Sequence, residues 1–110
     1  MNEILYHGTR FKNRLLREGF SEKMMWKGMG RMKYGVGFYA TSNMKYAEMF
    51  GDVVKVQVTL EKPCMNYLQR FPGYRRRKEE TTKILKSEGY DGVIVREEVC
   101  VFDAKNIKVI

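Results

Sequence analysis

The chain has one histidine, two cysteines, two prolines and one tryptophan among its 110 residues. A single imidazole, with no C-x-x-C and no H-E-x-x-H, leaves no ligand set for zinc. Cys64 and Cys100 could form one disulfide but supply no disulfide framework, and Cys100 stands in an apolar run where a thiol behaves as a small hydrophobe. No apolar stretch approaches the ~20 residues of a membrane span. The first residues lack a charged-then-apolar leader with a cleavage site. The expected compartment is therefore the reducing cytoplasm, with no membrane partner. Gly28-Met29-Gly30 and Gly35-Val36-Gly37 do not extend to G-x-G-x-x-G, and no G-x-x-x-x-G-K-[S/T] occurs, so neither a Rossmann fingerprint nor a phosphate loop is present. The nucleophile elbow of serine hydrolases is missing too.

What is present is a basic, 44% apolar chain with a net charge of +8, long enough for one core, so residues 1–110 are expected to form a single domain and a monomer. The charge balance favours polyanionic partners, nucleic acid and acidic protein surfaces among them. Glu3 to His7 reads as a strand broken by Gly8, and Phe11 to Glu18 as a helix with an apolar stripe of Phe11, Leu15 and Leu16 closed by Gly19. Gly35 to Thr41 alternates, with Val36, Phe38 and Ala40 on a core face and Gly35, Gly37, Tyr39 and Thr41 on a face cleared by glycine for another body to approach. A helix from Asn43 to Phe50 follows, capped by Thr41 or Ser42. Val53 to Leu60 is the clearest alternating strand. A polar segment from Tyr74 to Glu88 predicts a helix beginning near Lys78. Asp91–Val95, Glu98–Phe102 and Asn106–Ile110 read as closing strands. Strands and helices in this irregular order predict an α+β fold with a split mixed or antiparallel sheet and short flanking helices.

Three segments carry the chemistry: Tyr6-His7-Gly8-Thr9, Gly35-Val36-Gly37-Phe38-Tyr39-Ala40-Thr41 and Glu98-Val99-Cys100-Val101-Phe102-Asp103. They supply a hydrogen-bonding imidazole, an aromatic platform and a carboxylate, a set suited to breaking a glycosidic bond to a flat cationic ring. In this order they resemble the signature of the His-Tyr-Glu class of ADP-ribosyltransferases, the diphtheria-toxin and poly(ADP-ribose)-polymerase group. Gly89-Tyr90-Asp91-Gly92-Val93-Ile94 and Asn106-Ile107-Lys108 are similar to flanking segments of its small bacterial and phage members. The resemblance implies an ADP-ribosyltransferase-like sheet and NAD+ as co-substrate, with Glu98, His7 and Tyr39 as catalytic residues. His7, Gly8, Thr9, Tyr39, Phe50 and Arg31 would bind NAD+, with Phe50 as a second wall of the nicotinamide slot.

The activity so implied is mono-ADP-ribosyl transfer to a macromolecule, protein or nucleic acid, with release of nicotinamide. Arginine-modifying relatives carry Glu or Gln two residues before the catalytic glutamate; Arg96 stands there, which disfavours an arginine acceptor. Arg75-Arg76-Arg77-Lys78 precedes a helix N-terminus against the helix dipole, a placement that suits an anionic partner. Two rival readings use the same residues: a basic nucleic-acid-binding or inhibitor module without catalysis, and an RNA 2′-phosphotransferase-like enzyme.

Overall fold

The computed structural model describes residues 1–25 and 32–110. Its elements are β1 (Asn2–Thr9), α1 (Lys12–Glu18), α2 (Glu22–Met25), β2 (Phe38–Thr41), α3 (Met44–Glu48), β3 (Asp52–Thr59), β4 (Pro63–Cys64), α4 (Tyr67–Arg70), α5 (Lys78–Ser87), β5 (Gly92–Val95), β6 (Glu98–Val101) and β7 (Ile107–Val109). Short 3-10 turns cover Tyr74–Arg76 and Ala104–Asn106.

The seven strands form one mixed sheet in the order β4-β5-β6-β2-β1-β3-β7, parallel only between β4 and β5. The fold is α+β. In β3 the alternation works as written: Val54, Val56 and Val58 are buried, as is Leu60 just beyond the strand. Directly opposed residues project from the same face. Register therefore sets His7 with Val54 and Leu5 with Val56 on one side of the sheet, together with Phe38, Ala40, Val99 and Val101. Leu15 of α1 and Met32 close this first core. On the opposite side Cys64, Tyr67, Phe71, Leu85, Val93, Val95, Cys100 and Phe102 build a second core beneath α4 and α5. α3 lies on that same second side, against Gly8 of β1.

Three expectations are corrected. The strand expected from Gly35 begins only at Phe38. Gly35 has a φ of +99°, outside the extended region, and it turns the chain out of the sheet. The face expected to be cleared by glycine is occupied by protein: a Cβ on Gly35 would lie 2.8 Å from Thr82 Oγ1 of α5, and one on Gly37 2.4 Å from the Val101 carbonyl oxygen. These glycines admit α5 and β6. In α1 only Leu15 of the expected stripe is buried, while Phe11 and Leu16 are 47% and 55% exposed.

Both cysteines are free and buried. Among the described residues no helix is long and apolar enough to cross a membrane.

Candidate functional site

A gap in the sheet creates the site. β1 pairs with β3 along its whole length but with β2 through one register pair, Tyr6 and Thr41. Beyond that pair the two strands part, and a side chain takes over: His7 Nδ1 lies 2.5 Å from the Tyr39 carbonyl oxygen. A carbonyl only accepts, so Nδ1 is the donor and carries the proton, which leaves Nε2 with a free lone pair when the ring is neutral. Burial pushes His7 below its usual pKa, against the opposing pull of that bond, and so keeps the ring neutral near pH 7. The edge of Phe20, 5.2 Å between centroids, props the imidazole, and Phe20 stands in turn on Phe38 at 5.1 Å.

Tyr39 is fixed at both ends. Its backbone oxygen holds His7, and its hydroxyl donates to the Gly35 carbonyl and accepts from the Tyr34 N–H, each at 2.7 Å. Burial drives the phenol pKa far upward, so Tyr39 stays a neutral ring. The ring is half-buried, and part of it borders the cleft. It is a pinned wall rather than an open platform.

Glu98 opens β6 directly opposite Thr41, which in turn opposes Tyr6, so all three share the face that carries Tyr39. His7, one residue out of phase, enters from the other face. The cleft through the gap is bordered by both. Glu98 keeps 18% side-chain exposure and lies 3.8 Å from Lys33 Nζ. The Tyr46 hydroxyl accepts from the same ammonium at 3.2 Å. Burial first, and then its hydrogen bond to Glu98, raise the Tyr46 pKa, so this phenol remains a donor to the carboxylate. The bond to Tyr46, followed by the charge of Glu98, raises Lys33 in the same way.

α3 carries the remaining wall. Asn43 caps it by accepting from the Tyr46 N–H at 3.1 Å, where Thr41 or Ser42 was expected; Thr41 Oγ1 accepts instead from the Asn43 N–H. Glu97, exposed at the β5–β6 turn, accepts from Asn43 Nδ2 at 3.2 Å and ties the hairpin to α3. At its far end α3 presses on β1. A Cβ on Gly8 would lie 1.9 Å from the Ala47 carbonyl oxygen and 3.1 Å from Phe50 Cβ, so glycine is what lets Phe50 stand over β1. Phe50 meets Tyr46 edge-on at 5.2 Å.

The resulting cleft has a volume of about 460 Å³ and is bordered by His7, Gly8, Thr9, Tyr39, Phe50 and Glu98. Thr9 Oγ1 also accepts from the Phe11 N–H at 3.0 Å. Arg31, the other expected NAD-binding residue, lies outside the described residues. Sequence reasoning missed Tyr46, Phe20, Arg10 and Arg14, which also border the cleft, and Lys33, which reaches Glu98 from outside it. The i,i+4 spacing of Tyr46 and Phe50 was the one available signal, since it puts two rings on one helical face. No group of three or more metal-ligating side chains occurs among the described residues. No protein-family model matches the chain, and no curated protein is significantly similar to it.

Proposed function

We propose that the chain is an NAD+-dependent mono-ADP-ribosyltransferase of the His-Tyr-Glu type. The observation that carries this reading is the meeting of His7, Gly8, Tyr39, Phe50 and Glu98 around one cleft in the split between β1 and β2. Its volume lies in the range of small-molecule sites.

In this reading the nicotinamide ring of the substrate lies between Tyr39 and Phe50, with the Gly8 backbone N–H and C=O at the edge of the slot. Stacking on a ring fixed at both ends sets orientation and contributes about 0.5–1.5 kcal/mol. Neutral His7 offers Nε2 as acceptor to a ribose hydroxyl. Glu98 faces the ribose. The bond between ribose C1′ and nicotinamide N1 breaks, its electron pair leaves with nicotinamide, and positive charge develops on the ribose. The acceptor nucleophile then bonds to C1′ and loses its proton to solvent.

A carboxylate about 4 Å from that charge lowers its energy by about 4 kcal/mol at an effective dielectric near 20, close to a thousandfold in rate. Tyr46 and Lys33 orient the Glu98 side chain, at the cost of sharing its charge. Glu98→Gln keeps the shape and removes the charge. Nicotinamide release from NAD+, followed by chromatography, is expected from the native chain and reduced about a thousandfold in Glu98→Gln at unchanged Tm. Release that is absent in the native chain, or equal in the two, would refute the proposal.

A further inference from the structure

We infer that single-stranded nucleic acid is the acceptor, docked on a track of rings and cations that runs from Glu98 to the arginine turn before α5; this rests on the transferase reading above. The track is continuous in space. Lys33 Nζ is 3.8 Å from Glu98, the adjacent Tyr34 ring is 5.8 Å from the Tyr74 ring, and the Arg75 guanidinium lies 5.9 Å from the centre of Tyr74. Arg96 flanks it from the β5–β6 hairpin, two residues before Glu98, close enough to act on the Tyr34 phenol.

Charge and exposure favour a polyanion. Arg75, Arg76 and Arg96 are exposed, and no ion pair joins any of them to a carboxylate among the described residues. Arg77 differs: Glu80 binds its guanidinium through both oxygens, at 2.9 and 3.0 Å. Glu79 and Glu80 stand in the first turn of α5 and border one surface depression with Arg75, Arg76 and Lys83. Arg96 keeps a φ of +55°, a conformation that favours glycine, at the tip of a two-residue turn.

The rings decide between an acidic protein and a nucleic acid. Tyr34 and Tyr74 are only half-buried and pack on one another, with Lys33 next to the first and Arg75 over the second. Paired rings flanked by cations suit exposed bases on a phosphate backbone, since a base has a face to stack and its linkages a charge to neutralise. Duplex bases are already stacked and cannot use the rings. A strand lying on this track brings a nitrogen or oxygen nucleophile to Glu98. There it forms its bond to C1′ as the C1′–N1 pair departs with nicotinamide, its proton passing to solvent.

The test uses the full chain and a fluorescent single-stranded oligonucleotide of about 12 nucleotides, read by anisotropy. With three or four phosphates neutralised, affinity is expected to fall about thirtyfold between about 50 and 200 mM salt. The Arg75→Ala/Arg76→Ala double variant should flatten the log–log salt slope by about 1.4. Tyr74→Leu, which keeps apolar volume against Tyr67, should weaken binding about tenfold. Both variants should release nicotinamide from NAD+ at the native rate, and at subsaturating oligonucleotide should transfer less label from NAD+ to it than the native chain does.

A glutamate-rich peptide or a duplex of the same sequence binding as tightly would overturn the inference. So would unchanged affinity and slope in the double variant. Nicotinamide release without oligonucleotide binding overturns this inference alone. Binding without any release overturns the transferase reading, and the acceptor role with it.

Discussion

Gly8→Ala probes how the cleft is held together. The added methyl group would lie 1.9 Å from the Ala47 carbonyl oxygen and 2.9 Å from its carbonyl carbon. Ordinary carbon–oxygen contact needs roughly 3.2 Å or more, so β1 and α3 must separate by more than about 1 Å. Because the obstacle is backbone, no rotamer change relieves it. Overpacking of this kind costs about 1–3 kcal/mol, roughly 4 °C or more of Tm per kcal/mol in a domain of this size. A separation at Ala47 also moves Phe50, so NAD+ cleavage should fall further than stability. Gly73→Ala is the control, since Gly73 has a φ of +73° and nothing within 4 Å of the new Cβ. It bears backbone strain alone, about 1–2 kcal/mol, and leaves the cleft untouched. The double variant Gly8→Ala/Phe50→Ala should recover no stability, because the nearest atom belongs to Ala47. Thermal unfolding and nicotinamide release read both effects. A Gly8→Ala protein with native Tm and native rate would refute the packing of α3 on β1.

Other outcomes follow from the same geometry. His7 is held below its ordinary pKa of 6.5 by burial, so the unfolded chain takes up a proton before the folded one. Its contribution to stability is full above pH 6.5 and is lost as pH falls towards the lowered folded value. The urea midpoint should therefore drop between pH 6.5 and 4.5, before the carboxylates titrate, and His7→Asn should flatten that drop; parallel curves would contradict it. Burial pushes the Cys100 thiol up to about 12, so iodoacetamide should leave it unmodified in the native protein at pH 8 and label it in urea, as mass spectrometry would show. Rapid native labelling would count against the second core. Arg96→Gly should relieve the φ of +55° and raise stability by about 0.5–1 kcal/mol after glycine's entropic cost, while weakening oligonucleotide binding. A lower Tm would show that the Arg96 side chain stabilises the hairpin.

The parts of the fold legible in the sequence are those whose pattern is local. Val54, Val56, Val58 and Leu60 alternate because one face of β3 is buried, and period two records that directly. Gly19, at φ +72°, ends α1 where its position said it would. Phe11 and Leu16 misled because seven helical residues need only Leu15 to dock, and Phe11 borders the cleft instead. Gly35 and Gly37 showed that something approaches the backbone but not what. Thr82 lies 46 residues from the Val36 N–H to which its hydroxyl is bonded, a pairing that no local pattern encodes. The same holds for the site. His7, Tyr39 and Glu98 were nameable from their segments, but the shared contacts of Glu98 with Lys33 and Tyr46 arise from tertiary placement of three separate elements.

The most direct measurement is a crystal structure of Glu98→Gln soaked with NAD+, since that variant is expected to keep the cleft and to consume NAD+ about a thousandfold more slowly. The account requires the nicotinamide ring between Tyr39 and Phe50, its ribose facing residue 98, and a ribose hydroxyl on His7 Nε2. Nicotinamide held anywhere else, or a cleft that stays closed to NAD+ at saturating concentration, would contradict it.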